Sequence, residues 1–458
     1  MGSQSIDQLR ERVRGPVVTP DDGADVYDEA RTVYNAMIDR RPAAVVRCAH
    51  AGDVMAAVDF ARVNALDLAV RGGGHSVPGF GTCDGGVVAD LSAMRGVRVD
   101  PASRTARAEG GATWGDFNAA THAFGLATTG GIISTTGVGG LTLGGGIGHL
   151  SRGLGLSCDN LLSADVVTAD GRLVVASERE HEDLYWALRG GGGNFGTVTS
   201  FEFRLGSVKD IYGGPILYEL ESAGAVLRAY RDFIADAPEE LGAFPAFQIA
   251  PPLPFIPEDR HGEPFILIVA CWAGPPEEGE RALRPLRDVA PVVAEMLGPM
   301  PYPALNSAFD GLVPPGLQHY WKANFVTELT DDAIEAHLLH GPRVPTVNST
   351  VHIYPINGAC HRVAPDATAF AYRDASFATV IAGMWPDPAD NEANTAWVRD
   401  YYEATAPHSE EGGYVNFMAS DDQSRIRANY KGNYDRLVDV KRTYDPDNLF
   451  HLNQNIKP

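Results

Sequence analysis

The residues Arg71-Gly72-Gly73-Gly74-His75-Ser76 follow a short apolar run, Leu66-Asp67-Leu68-Ala69-Val70. A strand that ends in three glycines brings bare backbone N–H groups against a ligand that tolerates no side chains. Such a nest suits a pyrophosphate, and a histidine directly after it reaches whatever the pyrophosphate carries. Gly79 falls in the same stretch. Two more clusters follow: Gly137 to Gly148, which includes Gly139, Gly140, Thr142, Gly145 and Gly146, and Gly190 to Gly196, which runs on into Val198. Glycine also punctuates ordinary loops. Three clusters with an arginine and a histidine embedded point instead to one large, phosphate-bearing cofactor.

The elements that must position these residues do not read as a Rossmann unit. Gly191, Gly193 and Gly196 satisfy G-x-G-x-x-G, but that fingerprint needs a strand before the glycines and a helix after them. Here Glu182 to Leu188 has helical spacing, and Thr197 to Leu205 alternates like a strand. The reversed order argues for a different α+β nucleotide fold. Periodicity predicts helices over 24–38 and 53–64, with strands over 42–47, 66–71, 86–91 and 164–168. These βαβ-like and antiparallel elements make up a cofactor domain, residues 1–206. From Tyr212 long apolar strands such as 265–270 alternate with helices such as 222–237 and with proline-rich loops. That pattern predicts an antiparallel sheet covered by helices, a substrate domain over residues 207–405.

A chain of 458 residues exceeds what one hydrophobic core organises. With 44% apolar and 21% charged residues, it has the composition of a globular protein. Net charge is −22, from 37 basic and 59 acidic residues and without a basic run. Nucleic acid and anionic membrane surfaces are therefore poor partners. No apolar run is long enough to span a bilayer, and the first residues lack the apolar core of a secretory signal. The five cysteines, Cys48, Cys83, Cys158, Cys271 and Cys360, are scattered without metal spacing. Reduced thiols and a cytoplasmic location are the expectation.

Five segments occur in a telling order: Arg71–Ser76, Gly139–Gly148, Gly153–Asn160, Asp183–Gly196 and the tail Tyr444–Ile456. Together they resemble the berberine-bridge-enzyme-like branch of the vanillyl-alcohol-oxidase flavoproteins. The match runs from about residue 20 to the C-terminus. The resemblance implies FAD, a two-lobed PCMH-type FAD-binding domain with a substrate domain, and residues 406–458 returning to the first lobe. It implies a covalent bond from the flavin 8α-methyl group to His75. Many relatives add a thioether from a cysteine in a Cys-x-Gly-Gly context; the matching residue here is Gly137, so one bond is expected. Cys158 lies in a later segment and reads as a small packed apolar residue. The tail's Asn453 and Asn455 alternate with Gln454, as in an extended segment facing the flavin's pyrimidine edge.

Relatives oxidise small organic molecules by hydride transfer to the flavin, often with a tyrosine base ending a Tyr-x-Asn-Tyr segment. This chain reads Tyr414-Val415-Asn416-Phe417, so that phenol is gone. The usual acidic or amide position, six residues after Arg373, is Thr379. Neither Phe417 nor Thr379 is a base near neutral pH. Replacement candidates are His352 and Tyr354, two apart on one strand face, and the cluster Tyr320-Trp321-Lys322. Tyr414 and Gln248 are alternatives. The expected activity is oxidation of a small, uncharged or aromatic metabolite, with dioxygen reoxidising the flavin. An oxygenase acting on an electron-rich substrate, and a flavoprotein that sequesters a hydrophobic compound, are the alternatives.

Overall fold

A computed structural model describes residues 4–458. In the N-terminal lobe a four-stranded sheet has its strands in the order 17–18, 44–47, 87–90, 68–71, the last three mutually parallel. The helix Ala51–Val63 makes the crossover between 44–47 and 68–71. A second, antiparallel sheet orders its strands 97–100, 105–109, 197–204, 161–167, 173–177. Around the last glycine cluster the chain runs helix Glu182–Leu188, turn, strand Thr197–Arg204, as the spacing predicts.

The remaining large sheet is antiparallel throughout, in the order 292–295, 210–218, 264–272, 241–249, 350–355, 377–385, 318–326, with 298–301 also pairing 210–218. Its strands are apolar on both faces because both faces are covered. On one side, Val226, Leu227, Tyr230 and Ile234 of the helix Ala223–Asp236 pack against Ile216, Ile268 and Phe377. On the other, Leu267, Val269, Val380 and Met384 share a core with Ile147, Leu150, Leu156 and Cys158 of the first lobe. The sheet thus closes over the glycine-rich segments.

A buried arginine and a buried ion pair pin this arrangement. The Arg152 guanidinium donates to Asn357 Oδ1 at 2.7 Å and to the carbonyls of Ile234, Ala237, Pro238 and Leu241. It therefore ties the first lobe to the end of a helix in the second. Lys441 and Asp445, both fully buried, pair at 2.6 Å. Lys441 also donates to Asn194 O and Phe450 O, and Asp445 accepts from the N–H groups of Leu449 and Phe450. The C-terminal segment is thereby locked against the last glycine cluster.

One expected helix is shorter than its pattern. The 24–38 periodicity yields only Ala24–Arg31, and Val26, placed on the inner face by that pattern, is 49% exposed. Tertiary bonds win over local propensity. Tyr34 N donates to Gly74 O, Ala36 N to Leu317 O, and Asn35 bonds Val77 O and His319 on both backbone sides. Residues 32–38 thus cross between the lobes as a non-helical strap with a turn at Ala36 and Met37.

Removing one member of a fully buried ion pair leaves the other charge uncompensated. Lys441→Met is expected to lower unfolding free energy by about 3–5 kcal/mol. Chemical denaturation would measure it, and a loss below about 1 kcal/mol would contradict the role assigned to this pair.

Candidate functional site

One elongated cavity runs between the lobes. At one end it is lined by Gly72, Gly73, Gly74, His75 and Ser76, with Arg71 at the strand end. Gly137, Gly139 and Gly140 bring the second cluster to it, and Gly192, Gly193, Gly196 and Val198 the third. The first two clusters meet backbone to backbone: a Cβ added to Gly137 would lie 2.6 Å from Gly73 N. The Arg71 guanidinium is already occupied, by Asp90 at 2.8 Å and by the carbonyls of Ala30 and Thr32. It holds the strand end from behind.

The other expected glycines serve packing. Gly79, Gly145 and Gly146 all have positive φ and do not line the cavity. Gly146 N donates to Tyr414 Oη at 2.8 Å. Thr142 is buried beside the cavity without lining it.

The cavity fits a large planar cofactor on its own evidence. Gly140 and Gly193 open onto space that a side chain would fill, with nothing within 4 Å of an added Cβ. Asn453 Nδ2 is satisfied by Gly193 O and Phe450 O, whereas its buried Oδ1 has no protein partner among the described residues. An N–H on a ligand's edge would answer that acceptor. Here the tail departs from the expected extended segment. Residues 451–458 form no strand, and Asn453 and Gln454 line the cavity while Asn455 does not. Bonds between Asn194 and the backbone of Gln454 and Ile456 bend the chain there.

His75 stands at the junction between this trough and the rest of the cavity. Its ring stacks on Tyr34 at 3.8 Å, and its Nε2 lies 3.0 Å from Thr135 Oγ1. Burial pushes the His75 imidazole down to about 4, so the ring is neutral near pH 7.

Beyond His75 the cavity opens against the large sheet. The alternating faces of strands 350–355 and 377–385 present Thr350, His352 and Tyr354, and Val380, Ala382 and Met384. His352 Nδ1 and Tyr354 Oη are 2.5 Å apart, and Phe244 packs on both rings. Burial drives His352 down to about 3 and Tyr354 up, so both are neutral at ordinary pH. Tyr414 and Phe417 line the same chamber, edge to face at 4.8 Å. The Tyr414 oxygen accepts from Gly146 N, Ile147 N and Asn416 Nδ2, and burial nonetheless lifts its pKa to about 12. Arg71 apart, no Lys, Arg, Asp or Glu lines the cavity among the described residues.

Strand alternation separates other candidates from the chamber. Trp321 lines it, but Tyr320 and Lys322 face the opposite side, where Tyr320 donates to Asp421 and Lys322 bonds Asp421 and Asp422, each at 2.8 Å from Lys322. Thr379 points the same outward way, opposite Asn324. Gln248 bonds Val347 O and does not line the cavity. Thr350, Val380, Ala382 and Met384 were legible only by extending the alternation from His352 to its neighbour strand. Tyr34 and Thr135 carried no sequence signal.

Comparison with known proteins agrees with this geometry. The family described as FAD binding domain matches residues 42–177, and that described as berberine and berberine like matches 413–457. An FAD-linked oxidoreductase of Dictyostelium discoideum is 32% identical over 100% of this chain and 97% of its own. The (R)-6-hydroxynicotine oxidase of Paenarthrobacter nicotinovorans is 31% identical over 97% of each. The crystal structure of 6-hydroxy-D-nicotine oxidase from Arthrobacter nicotinovorans superposes with a TM-score of 0.87 at 27% identity, covering 99% of this chain and 100% of that one. This chain belongs to the berberine-bridge-enzyme-like family of FAD-linked oxidoreductases. It has the PCMH-type fold expected, and no helix among the described residues is long and apolar enough to cross a membrane.

Three histidines are almost fully enclosed: His149, held down to about 4, His319 to about 3 and His337 to about 4, all mainly by burial. Their folded-state values lie below the ordinary 6.5, so their contribution to stability is present above that pH and is lost as pH falls towards 4. At pH 5 each is expected to have cost about 2 kcal/mol. Melting temperature should fall steeply between pH 7 and 5; a level profile across that window would contradict neutral burial.

Proposed function

We propose that this protein is an oxidase with covalently bound FAD that oxidises a small, uncharged, ring-bearing substrate. The observation that carries the reading is the continuity of one cavity, from three glycine nests past His75 to the chamber of His352 and Tyr354. Residues 72–76, 137–140 and 192–196 would hold the pyrophosphate and ring system, and Asn453 Oδ1 would meet the pyrimidine edge. His75 would carry the bond to the cofactor. A bound FAD supplies the electrophile that accepts a hydride, and dioxygen takes the electrons onward.

The chain's own part is to orient and to exclude water. A chamber without carboxylates or ammonium groups favours neutral substrates, because an unpaired charge would be desolvated there at high cost. The His352–Tyr354 pair is the polar handle. Either neutral ring can donate to or accept from a substrate hydroxyl, and with His352 held down to about 3 the pair does not change charge between pH 5 and 8. Proton loss is therefore left to substrates that ionise readily, such as enols or phenols. The same argument keeps oxygen transfer as a second outcome, which labelled dioxygen would reveal by its incorporation into product.

Acid-precipitated protein is expected to remain yellow, with an intact mass one FAD above the chain. His75→Ala should bind FAD that washes out on denaturation. Gly137→Cys should not add a thioether, because its Cβ would collide with Gly73; it should lower flavin content instead. Release of all flavin from the wild-type protein on precipitation would refute covalent attachment.

The chamber reading is tested separately. Once an anaerobic metabolite screen finds a compound that bleaches the flavin, His352→Ala should cost about 1–3 kcal/mol in kcat/KM. An unchanged value would remove His352 from substrate contact.

A further inference from the structure

The strand Gln318–Val326 does different work on its two faces. Inward, Trp321 lines the chamber and meets Phe417 edge to face at 5.9 Å. Outward, the next residue is Lys322, 7% exposed, whose ammonium bonds Asp421 Oδ1 and Asp422 Oδ1 at 2.8 Å each. Those carboxylates follow Phe417 closely, in the segment that brings Tyr414, Asn416 and Phe417 to the cavity. The segment is built from short turns, Val415–Phe417 and Ser420–Arg425, rather than from a strand. Side chains must therefore hold it. Asp422 also accepts from Ala419 N at 3.2 Å, and Asp421 from the Tyr320 hydroxyl at 2.7 Å. Arg399 and Arg425 stand further off, at 3.3 Å from Asp421 and 3.5 Å from Asp422. Phe417 in turn meets Tyr414 at 4.8 Å and Tyr354 at 6.1 Å. It is the corner at which the other aromatic rings of the chamber converge.

We propose that Lys322 is a positioning residue for the substrate: by gripping Asp421 and Asp422 it keeps Phe417 against Trp321 and Tyr354, and the corner so formed takes a flat aromatic ring. The inference rests on the reading of the chamber as the substrate site. Lys322 does not itself line the cavity. It acts through residues 418–421, where Met418 and Ala419 are buried and so pass the hold on with little slack. Without the ammonium, two neighbouring carboxylates repel each other, and buried Asp422 keeps only Arg425, at 3.5 Å, to balance its charge. Both acids then turn towards water and draw Phe417 away from its neighbours. An aromatic ring gains from edge-to-face and offset contacts with such a corner, whereas a puckered saturated ring of similar outline has no π face to offer. The effect of losing Lys322 therefore falls on one class of ligand. That selectivity separates a positioning role from a general loss of stability.

The test uses the FAD-loaded protein and two neutral probes, 2-naphthol and its saturated counterpart decahydro-2-naphthol, with dissociation constants read by calorimetry. The wild-type protein should bind the naphthol about tenfold more tightly than the saturated alcohol. Lys322→Met should weaken the naphthol about tenfold and the saturated alcohol less than about twofold. Asp421→Asn, at a half-exposed position, should shift the selectivity the same way, and added to Lys322→Met it should change little more. Equal weakening of both probes, or naphthol binding unchanged in Lys322→Met, would overturn the inference. Equal wild-type affinity for the two probes would remove the aromatic class. If the lysine variant does not fold, Asp421→Asn decides alone, and unchanged selectivity there sinks the proposal. Should the wild-type protein bind neither probe, the substrate reading of the chamber falls, and the hold is judged by hydrogen exchange. Lys322→Met should then quicken exchange across residues 414–422 about tenfold and leave the strand Thr350–Pro355 unchanged. No change in 414–422 would overturn the positioning role as well.

Discussion

The approach of two backbones at Gly73 and Gly137 is the constraint on which the site depends. Side chains are excluded where these loops meet, since a Cβ on Gly137 would fall 2.6 Å from Gly73 N. That contact sets the first nest beside the second and fixes where His75 emerges. The cost is conformational, because glycines lose more freedom on folding than other residues. Burial around the nests offsets it: Leu68, Leu91 and Phe201 line the same trough, each almost fully enclosed.

A second set of contacts makes the nests one site. Asn194, buried within the third cluster, is the centre of it. Its side chain bonds Gly191 O and the backbone of Gln454 and Ile456, while its carbonyl accepts from Lys441. The chain's last residues therefore stabilise a loop more than 250 positions earlier, with Asn453 Nδ2 reaching Gly193 O across 260 positions. Long-range closure of this kind is slow to form but rigid once made. It orders a loop whose own glycines would otherwise leave it mobile.

Much of the architecture was legible because periodicity is a local property. The helix 182–188, the strand 197–204 and the long apolar strands of the second lobe carry their burial in their residue order. The two-residue spacing of His352 and Tyr354 likewise placed them on one strand face. Where the reading failed, a tertiary contact had overruled a local pattern. The helix expected through residue 38 stops at Arg31 because Tyr34 and Asn35 are needed between the lobes. Tyr320 and Thr379 fell outside the chamber for a simpler reason: neighbours along a strand point to opposite faces, so Trp321 and Val380 took the inward positions. The bend that separates Asn453 from Asn455 comes from Asn194, which no window on the tail contains.

Charge is distributed with the same logic as packing. The surface carries the −22 net charge, while the chamber's polar groups are imidazole, phenol, hydroxyl and amide. Burial holds the histidines neutral and the tyrosines protonated, each by disfavouring its own charged form. A site built this way cannot store a proton on the protein at neutral pH. It can offer hydrogen bonds from neutral groups that donate or accept, and on the function proposed above this leaves proton loss to the substrate. On that proposal, selectivity would come from shape and from one hydroxyl contact, and a charged analogue of the right shape would be rejected by the desolvation it would have to bear.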